Sequence, residues 1–387
     1  MNPPLPHRGV GQAPHVKWGA GGSLRTGWGD HGRVTASSSS GQCQSMKWQL
    51  SPRLLVLPAL AALVALVGLR LWHSHEPITE APDLPPHAFQ WLHGLAANTT
   101  TLPTRHPLRP PYPHPYRFLL NQPHKCRDQA PFLVLLVATA PEDTGARHCI
   151  RRTWGNESAV PGTPILRLFL LGLHPVFADA LEPVLREESR EYGDLIQQDF
   201  MDTYNNLTLK TLMGLQWVSR YCPNATYVMK ADTDVFLNLH YLTRRLLLPP
   251  RASFVTGYVY RNTAPIRSKA YKWYVPRELY PNTTYPPYCG GPAYVLSTDV
   301  ASRVHAVAQT LPLINMEDAF VGLCLHALGI TVTDGPWGAF SMGRIPYEPC
   351  RFARAAAVHR YQPQEVLRLW PSFQQEKDKC EGVNGAR

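Results

Sequence analysis

The run Phe132-Leu-Val-Leu-Leu-Val-Ala138 constrains the fold more than any other stretch. It is apolar without a break, whereas a strand with one wet face alternates, so it predicts a strand covered on both faces. It ends in Thr139-Ala-Pro-Glu-Asp143, a turn and helix N-cap, and helical spacing follows over Arg147 to Trp154. The unit then recurs. Ile165 to Leu171 is a strand closed by Gly172, Ala180 to Tyr192 a charged amphipathic helix, and Asp194 to Phe200 a short strand. Leu207 to Tyr221 is a helix ending near Cys222-Pro223, and a further strand starts at Tyr227. Strand alternating with helix four times predicts an α/β domain with a mostly parallel, right-handed sheet.

That last strand runs Tyr227-Val-Met-Lys-Ala-Asp-Thr-Asp-Val-Phe-Leu-Asn238, so an apolar run leads into Asp232 and Asp234. Residues i and i+2 of a strand share a face, and two carboxylates on one face call for a cation. Carboxylate oxygens suit hard divalent ions, which also bind phosphate oxygens. An Asp-rich turn is the plainer alternative. The strand order decides between them, because ligands of parallel α/β sheets bind at the carboxyl ends of strands, where these aspartates fall.

Upstream, Leu54 to Leu69 carries no charge, and Leu71 and Trp72 extend it to about a bilayer span. Lys47 and Arg53 precede it and Glu76, Glu80 and Asp83 follow, which orients residues 1–53 to the cytosol and the rest to the lumen. A cleaved signal peptide is the competing reading, but the stretch is long for one and no small-x-small site follows. Residues 1–45 are Gly- and Ser-rich without hydrophobic period and are expected to be disordered; translation starting at Met46 would leave a short basic tail. Residues 73–115, rich in Pro and His, read as an extended stem before a compact domain over 116–387.

Five sequons, at Asn98, Asn156, Asn206, Asn224 and Asn282, all follow the span, as do seven of the eight cysteines. Both fit a lumenal domain with disulfides, and seven leaves at least one thiol over. No Cys-x-x-Cys is present, so zinc is not indicated. The net charge of +10 is not gathered into a basic run that would argue for nucleic acid.

After Pro250 the sequence turns aromatic, with Tyr258, Tyr260, Tyr271, Trp273, Tyr274, Tyr280, Tyr285 and Tyr288. Flat rings with polar edges suit sugars, though most are expected to serve core and loops. Gly290-Gly291 lets backbone approach a ligand closely before a helix starts at Thr298. Glu317-Asp318 opens a helix, where an acid is ordinarily a cap or dipole partner. His359 lies between the apolar run Ala355 to Val358 and Arg360-Tyr361.

Together these blocks resemble glycosyltransferase family 31, the β-1,3-galactosyl- and β-1,3-N-acetylglucosaminyltransferases of the Golgi. The resemblance spans about Tyr116 to Cys380 and rests on separated blocks in the family's order. They include Ala146-Arg-His-Cys-Ile-Arg-Arg-Thr-Trp-Gly-Asn-Glu-Ser158, Asn206-Leu-Thr-Leu-Lys-Thr211, the Asp-x-Asp stretch, Lys272-Trp-Tyr-Val-Pro276, the Gly-Gly block and Glu317-Asp-Ala-Phe-Val-Gly322. The Trp-Gly-Asn-Glu-Ser block is most similar to the galactosyltransferase branch.

The resemblance implies a single Rossmann-like domain of the GT-A type behind a type II Golgi membrane anchor. It implies UDP-galactose or UDP-GlcNAc as donor, Mn²⁺ as cofactor, and a glycan acceptor on a glycoprotein or glycolipid. Asp234 would be the direct metal ligand, with Asp232 nearer the ribose or the metal's water shell. His359 would be the second ligand and Asp318 the catalytic base, while Arg147 and Arg151 would lie where the nucleotide binds. Thr233 stands where many members have another acid or Ser, and Pro292-Ala293 replaces the usual Thr-Gly, a change that bears on the acceptor. A catalytically silent glycan-binding relative is the alternative of a different class. Pairing with a second copy or another Golgi transferase is left open by the sequence.

Overall fold

The computed structural model describes residues 112–383. The expected tail, the membrane span, the stem up to residue 111 and Asn98 lie outside the described residues. Among the described residues no helix is long and apolar enough to cross a membrane.

Strand β2 (Leu133–Ala138) is the centre of an eight-stranded sheet. From it the chain passes through helix α1 (Thr144–Arg151), β3 (Ile165–Leu173), α2 (Ala178–Tyr192), β4 (Leu195–Met201), α3 (Leu207–Tyr221) and β5 (Tyr227–Asp232). The sheet order is β1-β4-β3-β2-β5-β8-β7-β9, with β1 at Phe118–Leu120, β7 at Val255–Tyr260, β8 at Tyr288–Ser297 and β9 at Thr333–Asp334. Strands β4, β3, β2 and β5 are parallel, as the alternation predicts. The sheet as a whole is mixed, because β8 runs antiparallel to both β5 and β7, and β1 antiparallel to β4. β3 and β4 are laid down on one side of β2 and β5 on the other. The strand order therefore reverses between β2 and β5, where open α/β sheets place their ligands.

The unbroken apolar run behaves as expected. Leu133, Leu135 and Val137 join one buried cluster, with Trp154, Phe236 and Tyr361. Val134 and Leu136 join another on the opposite face, with α3, α4 (Thr298–Ala308) and α5 (Glu317–Ala327). Gly172 does not close β3 but lies inside it, at a register shift against β4. A Cβ there would sit 2.7 Å from the Phe200 ring and from its carbonyl oxygen, so the close approach of β4 excludes any larger residue.

A second sheet of three strands, β10 (Phe340–Ser341), β11 (Ala357–His359) and β6 (Val235–Leu237), lies beside the carboxyl end of β5. β6 follows Asp234 directly, and β11 pairs with it antiparallel, setting His359 opposite Val235. Cys126–Cys222 ties the chain before β2 to the end of α3, and Cys350–Cys380 ties helix α6 (Pro349–Ala353) to the C-terminal segment, after helix α7 (Pro363–Glu376). Cys149, Cys289 and Cys324 stay outside these bridges, which agrees with the odd count, and all three are buried. Burial pushes the Cys289 thiol up to about 12, so it is a poor nucleophile at neutral pH.

Candidate active site

Asp232 ends β5 opposite Ala138 of β2, at the point where the sheet order reverses. Asp234, two residues on, is bridged to the second sheet: its carboxylate lies 3.2 Å from His359 Nε2, and its carbonyl accepts from the Tyr361 amide at 3.0 Å. The other imidazole nitrogen, Nδ1, is 3.1 Å from the Met342 carbonyl, which can only accept. That contact puts the proton on Nδ1 and leaves Nε2 as the nitrogen facing Asp234. Burial works against the Asp234 charge, but the His359 contact prevails and holds the carboxyl below the usual range. The same contact raises His359.

Lys230 joins this half of the site to the other. It sits mid-strand among apolar neighbours and is buried, with Nζ 2.6 Å from Asp232, 3.5 Å from Glu317 and 2.6 Å from the Gly291 carbonyl. Burial disfavours its charge, yet Asp232 and Glu317 outweigh that and raise its pKa. Glu317 is buried too and accepts from Tyr294 Oη at 2.6 Å and Thr211 Oγ1 at 2.9 Å. Sequence reasoning missed Lys230, although a lysine inside an apolar strand is itself a sign of a buried counter-ion.

Asp318 stands in the first turn of α5. One oxygen accepts from the next amide, Ala319, at 2.8 Å, and the other from the Gly291 amide at 3.0 Å, while the N-cap of the helix is Met316. Its pKa is raised to about 6, by burial first and the neighbouring Glu317 second, against the pull of the two amides and Lys230. Gly291 thus donates to Asp318 and accepts from Lys230. It can do both because β8 leaves the ladder: Cys289 and Tyr294 pair with Val259 and Gly257, so residues 290–293 oppose Tyr258 alone. Pro292, with no amide hydrogen to offer, falls inside that bulge. A Cβ on Gly290 would come within 2.8 Å of Met342 Sδ, whose residue holds His359.

One cavity of about 480 Å³ is lined by Asp232, Asp234, Lys230, Glu317, Asp318 and His359, with Tyr260, Trp273, Tyr285 and Tyr288 among its aromatic walls. Tyr280, Tyr285 and Tyr288 are buried, so the core role expected for much of the aromatic segment holds.

Arg147 and Arg151, expected near the nucleotide, do not line this cavity. Arg147 is fully buried and all five of its N–H donors are used, two on Glu188 at 2.8 and 2.7 Å and the others on Thr139 Oγ1 and the Ala140 and Pro141 carbonyls. Arg151 bridges Glu188 and Asp194. Burial works against the Asp194 charge, but Arg151 and Arg167 hold its carboxyl below the usual range. With the Arg147 donors spent and three Arg151 N–H groups on Glu188 and Asp194, these arginines fix the loop after β2 onto α2 and the residue before β4. Arg147→Ala leaves Glu188 with Arg151 as its remaining ion-pair partner and takes the donor from the Ala140 and Pro141 carbonyls; it is expected to cost about 1–3 kcal/mol in denaturant unfolding of the full chain.

The sequons divide by exposure. Asn156, Asn224 and Asn282 are exposed. Asn206 differs, since its side-chain amide donates to the Met201 carbonyl at 2.8 Å and the Thr208 hydroxyl is buried on the Ile314 carbonyl.

Among the described residues no three His, Cys, Asp or Glu converge as a metal-holding group. The donor set here is one carboxylate oxygen and one imidazole nitrogen, 3.2 Å apart. Neighbouring ligands on an ion with bonds of about 2.1 Å are roughly 3 Å apart, and magnesium-type ions take one or two carboxylates with substrate phosphates completing the shell. The pair therefore fits a divalent ion that arrives with a diphosphate.

Residues 145–336 match the Galactosyltransferase family. The chain is 44% identical over 271 residues to beta-1,3-galactosyltransferase 2 of Homo sapiens, covering 69% of this chain and 64% of that protein. It is 43% identical over 273 residues to beta-1,3-galactosyltransferase 1 of Mus musculus, covering 70% of this chain and 82% of that protein. The chain thus spans somewhat less than two thirds of the longer relative. The match takes in β5, the β8 bulge and the start of α5, and the chain belongs to the galactosyltransferase family.

Proposed function

We propose that this protein transfers galactose from UDP-galactose to the 3-hydroxyl of an acceptor sugar, forming a β-1,3 linkage with inversion. The observation that carries the reading is the placement of the Asp234–His359 pair and of Asp318 on one cavity, joined through Lys230 and Gly291. The donor half is Asp232, Asp234 and His359, which would hold Mn²⁺ and the diphosphate. A divalent cation bound there supplies Lewis-acid neutralisation of the diphosphate. Lys230 fixes Asp232 and places a positive charge between the two halves.

On the acceptor side, Asp318 accepts the proton of the attacking hydroxyl. The hydroxyl oxygen forms a bond to the anomeric carbon from the face opposite UDP. The breaking carbon–oxygen bond gives its electron pair to the β-phosphate oxygen, so an α-linked donor yields a β-linked product. The two amides on Asp318 fix the carboxylate for this work.

Asp318 must be ionised to act, so transfer is expected to fall as pH drops through about 6, by up to tenfold per unit below it. A kcat/KM profile for the acceptor between pH 4.5 and 8 checks this, and a flat acid limb contradicts it. Stability has the opposite sense. Asp318 holds its proton more tightly folded than unfolded, from the ordinary 3.8 up to about 6, so its ionisation costs stability as pH rises through that window.

The cellular setting follows the same reading: a single-pass type II Golgi protein anchored by residues 54–72, with the described domain lumenal. Exposed sequons and two disulfides support an oxidising compartment. The test of function is a donor panel. The full chain with Mn²⁺ and an array of glycan acceptors should use UDP-galactose at least tenfold better than UDP-GlcNAc. The reverse preference assigns the other donor, and absence of any transfer leaves a silent relative.

A further inference from the structure

A second, larger cavity of about 840 Å³ lies away from the catalytic carboxylates, walled by β7, the β9–β10 loop and α6. Three observations distinguish it. Trp337, in the loop Gly335-Pro-Trp-Gly338, is fully exposed, and Gly338 beside it has φ of +78°. A large indole held entirely in water is unusual for a residue whose burial stabilises the fold. Arg351 on α6 and Arg354 at its C-cap, spaced i, i+3, both line the cavity. Among the described residues neither makes a salt bridge, and Arg147, Arg151, Arg167, Arg261 and Arg344 all do. The short helix that carries Arg351 and ends at Arg354 is stapled by Cys350–Cys380, so the two stand on a fixed platform. Of the two acids on the cavity wall, Asp334 is already paired with Arg261 at 2.6 Å, which leaves the exposed Glu348 against two guanidinium groups.

The cavity and the cleft are separated by a shared wall. Tyr258, Phe340 and Ser341 line the cavity and also a narrow seam that Pro292, Met342 and His359 of the cleft help to wall. Along β7, Tyr258 and Tyr260 project at i and i+2 with ring centroids 5.1 Å apart, one on the cavity and one on the cleft.

From this arrangement we infer that the cavity binds a carboxylate-bearing sugar of a glycan. The planar guanidinium matches a carboxylate in two parallel hydrogen bonds. The C–H face of a pyranose ring packs on the negative face of an aromatic ring, here Trp337 or Tyr258. The inference builds on the reading of the cleft as a glycan-acting site, but binding is measured with neither donor nor metal present, so it stands or falls apart from transfer.

The probes are 3′-sialyllactose, a glucuronic-acid-terminated disaccharide and lactose, titrated by NMR into the full chain. An acidic probe should bind at least tenfold more tightly than lactose. Trp337→Ala and the Arg351→Gln/Arg354→Gln double variant should each remove that preference while keeping the wild-type melting temperature. Trp337 is fully exposed, so its replacement leaves the core untouched. Preference for either acidic probe supports the inference and names the sugar. Equal affinity for all three probes, or a preference that survives both variants, overturns it.

Discussion

Asp318→Asn is expected to lower transfer by roughly 10²–10⁴-fold, the range that a positioned proton acceptor contributes, with UDP affinity unchanged. The side chain keeps its size but loses the ability to take a proton. Asparagine has one acceptor oxygen where Asp318 offers two, to the Gly291 and Ala319 amides, so one amide loses its partner. That costs about 1–3 kcal/mol of stability and does not reach the donor half through any direct contact. Steady-state kinetics with a separate UDP titration distinguishes the effects. A variant that folds, binds UDP and still turns over at a near-normal rate removes Asp318 from the chemistry.

The second large effect is at the other end of the cleft. Asp234→Ala should weaken UDP binding at least about 100-fold in the presence of Mn²⁺, since even outer partners of a metal ligand are worth 10–100-fold. It should also abolish the difference in UDP affinity with and without the ion. The backbone contact from Tyr361 to the Asp234 carbonyl survives the substitution, so β6 and β11 keep their register and the loss is local. UDP affinity that is the same in wild type and variant, with and without Mn²⁺, would contradict the assignment of the pair.

Much of this was legible in the chain itself, for identifiable reasons. Leu133 to Val137 is apolar on both faces because helices cover both, and that pattern alone demands a central parallel strand. The pair Asp232 and Asp234 alone leaves an Asp-rich turn open, and it is the strand order that places them at a carboxyl end, where both line one cavity. What stayed hidden depends on distant partners. Arg147 and Arg151 look free on a helix face, and only the fold shows Glu188 and Asp194 waiting for them. β8 enters antiparallel between β5 and β7, after a long aromatic segment whose spacing carries no direction. Its bulge makes Gly291 a contact of both Lys230 and Asp318, a role that the Gly-Gly pair alone announces only as close approach.

The stereochemistry of the first product tests the central claim most directly. The full chain, UDP-galactose, Mn²⁺ and a GlcNAc-terminated acceptor are followed by proton NMR from the start of turnover. Single displacement with Asp318 as the base predicts a β-anomeric galactose linked to the 3-position as the first product. An α-linked first product, or attachment at another hydroxyl, would contradict it.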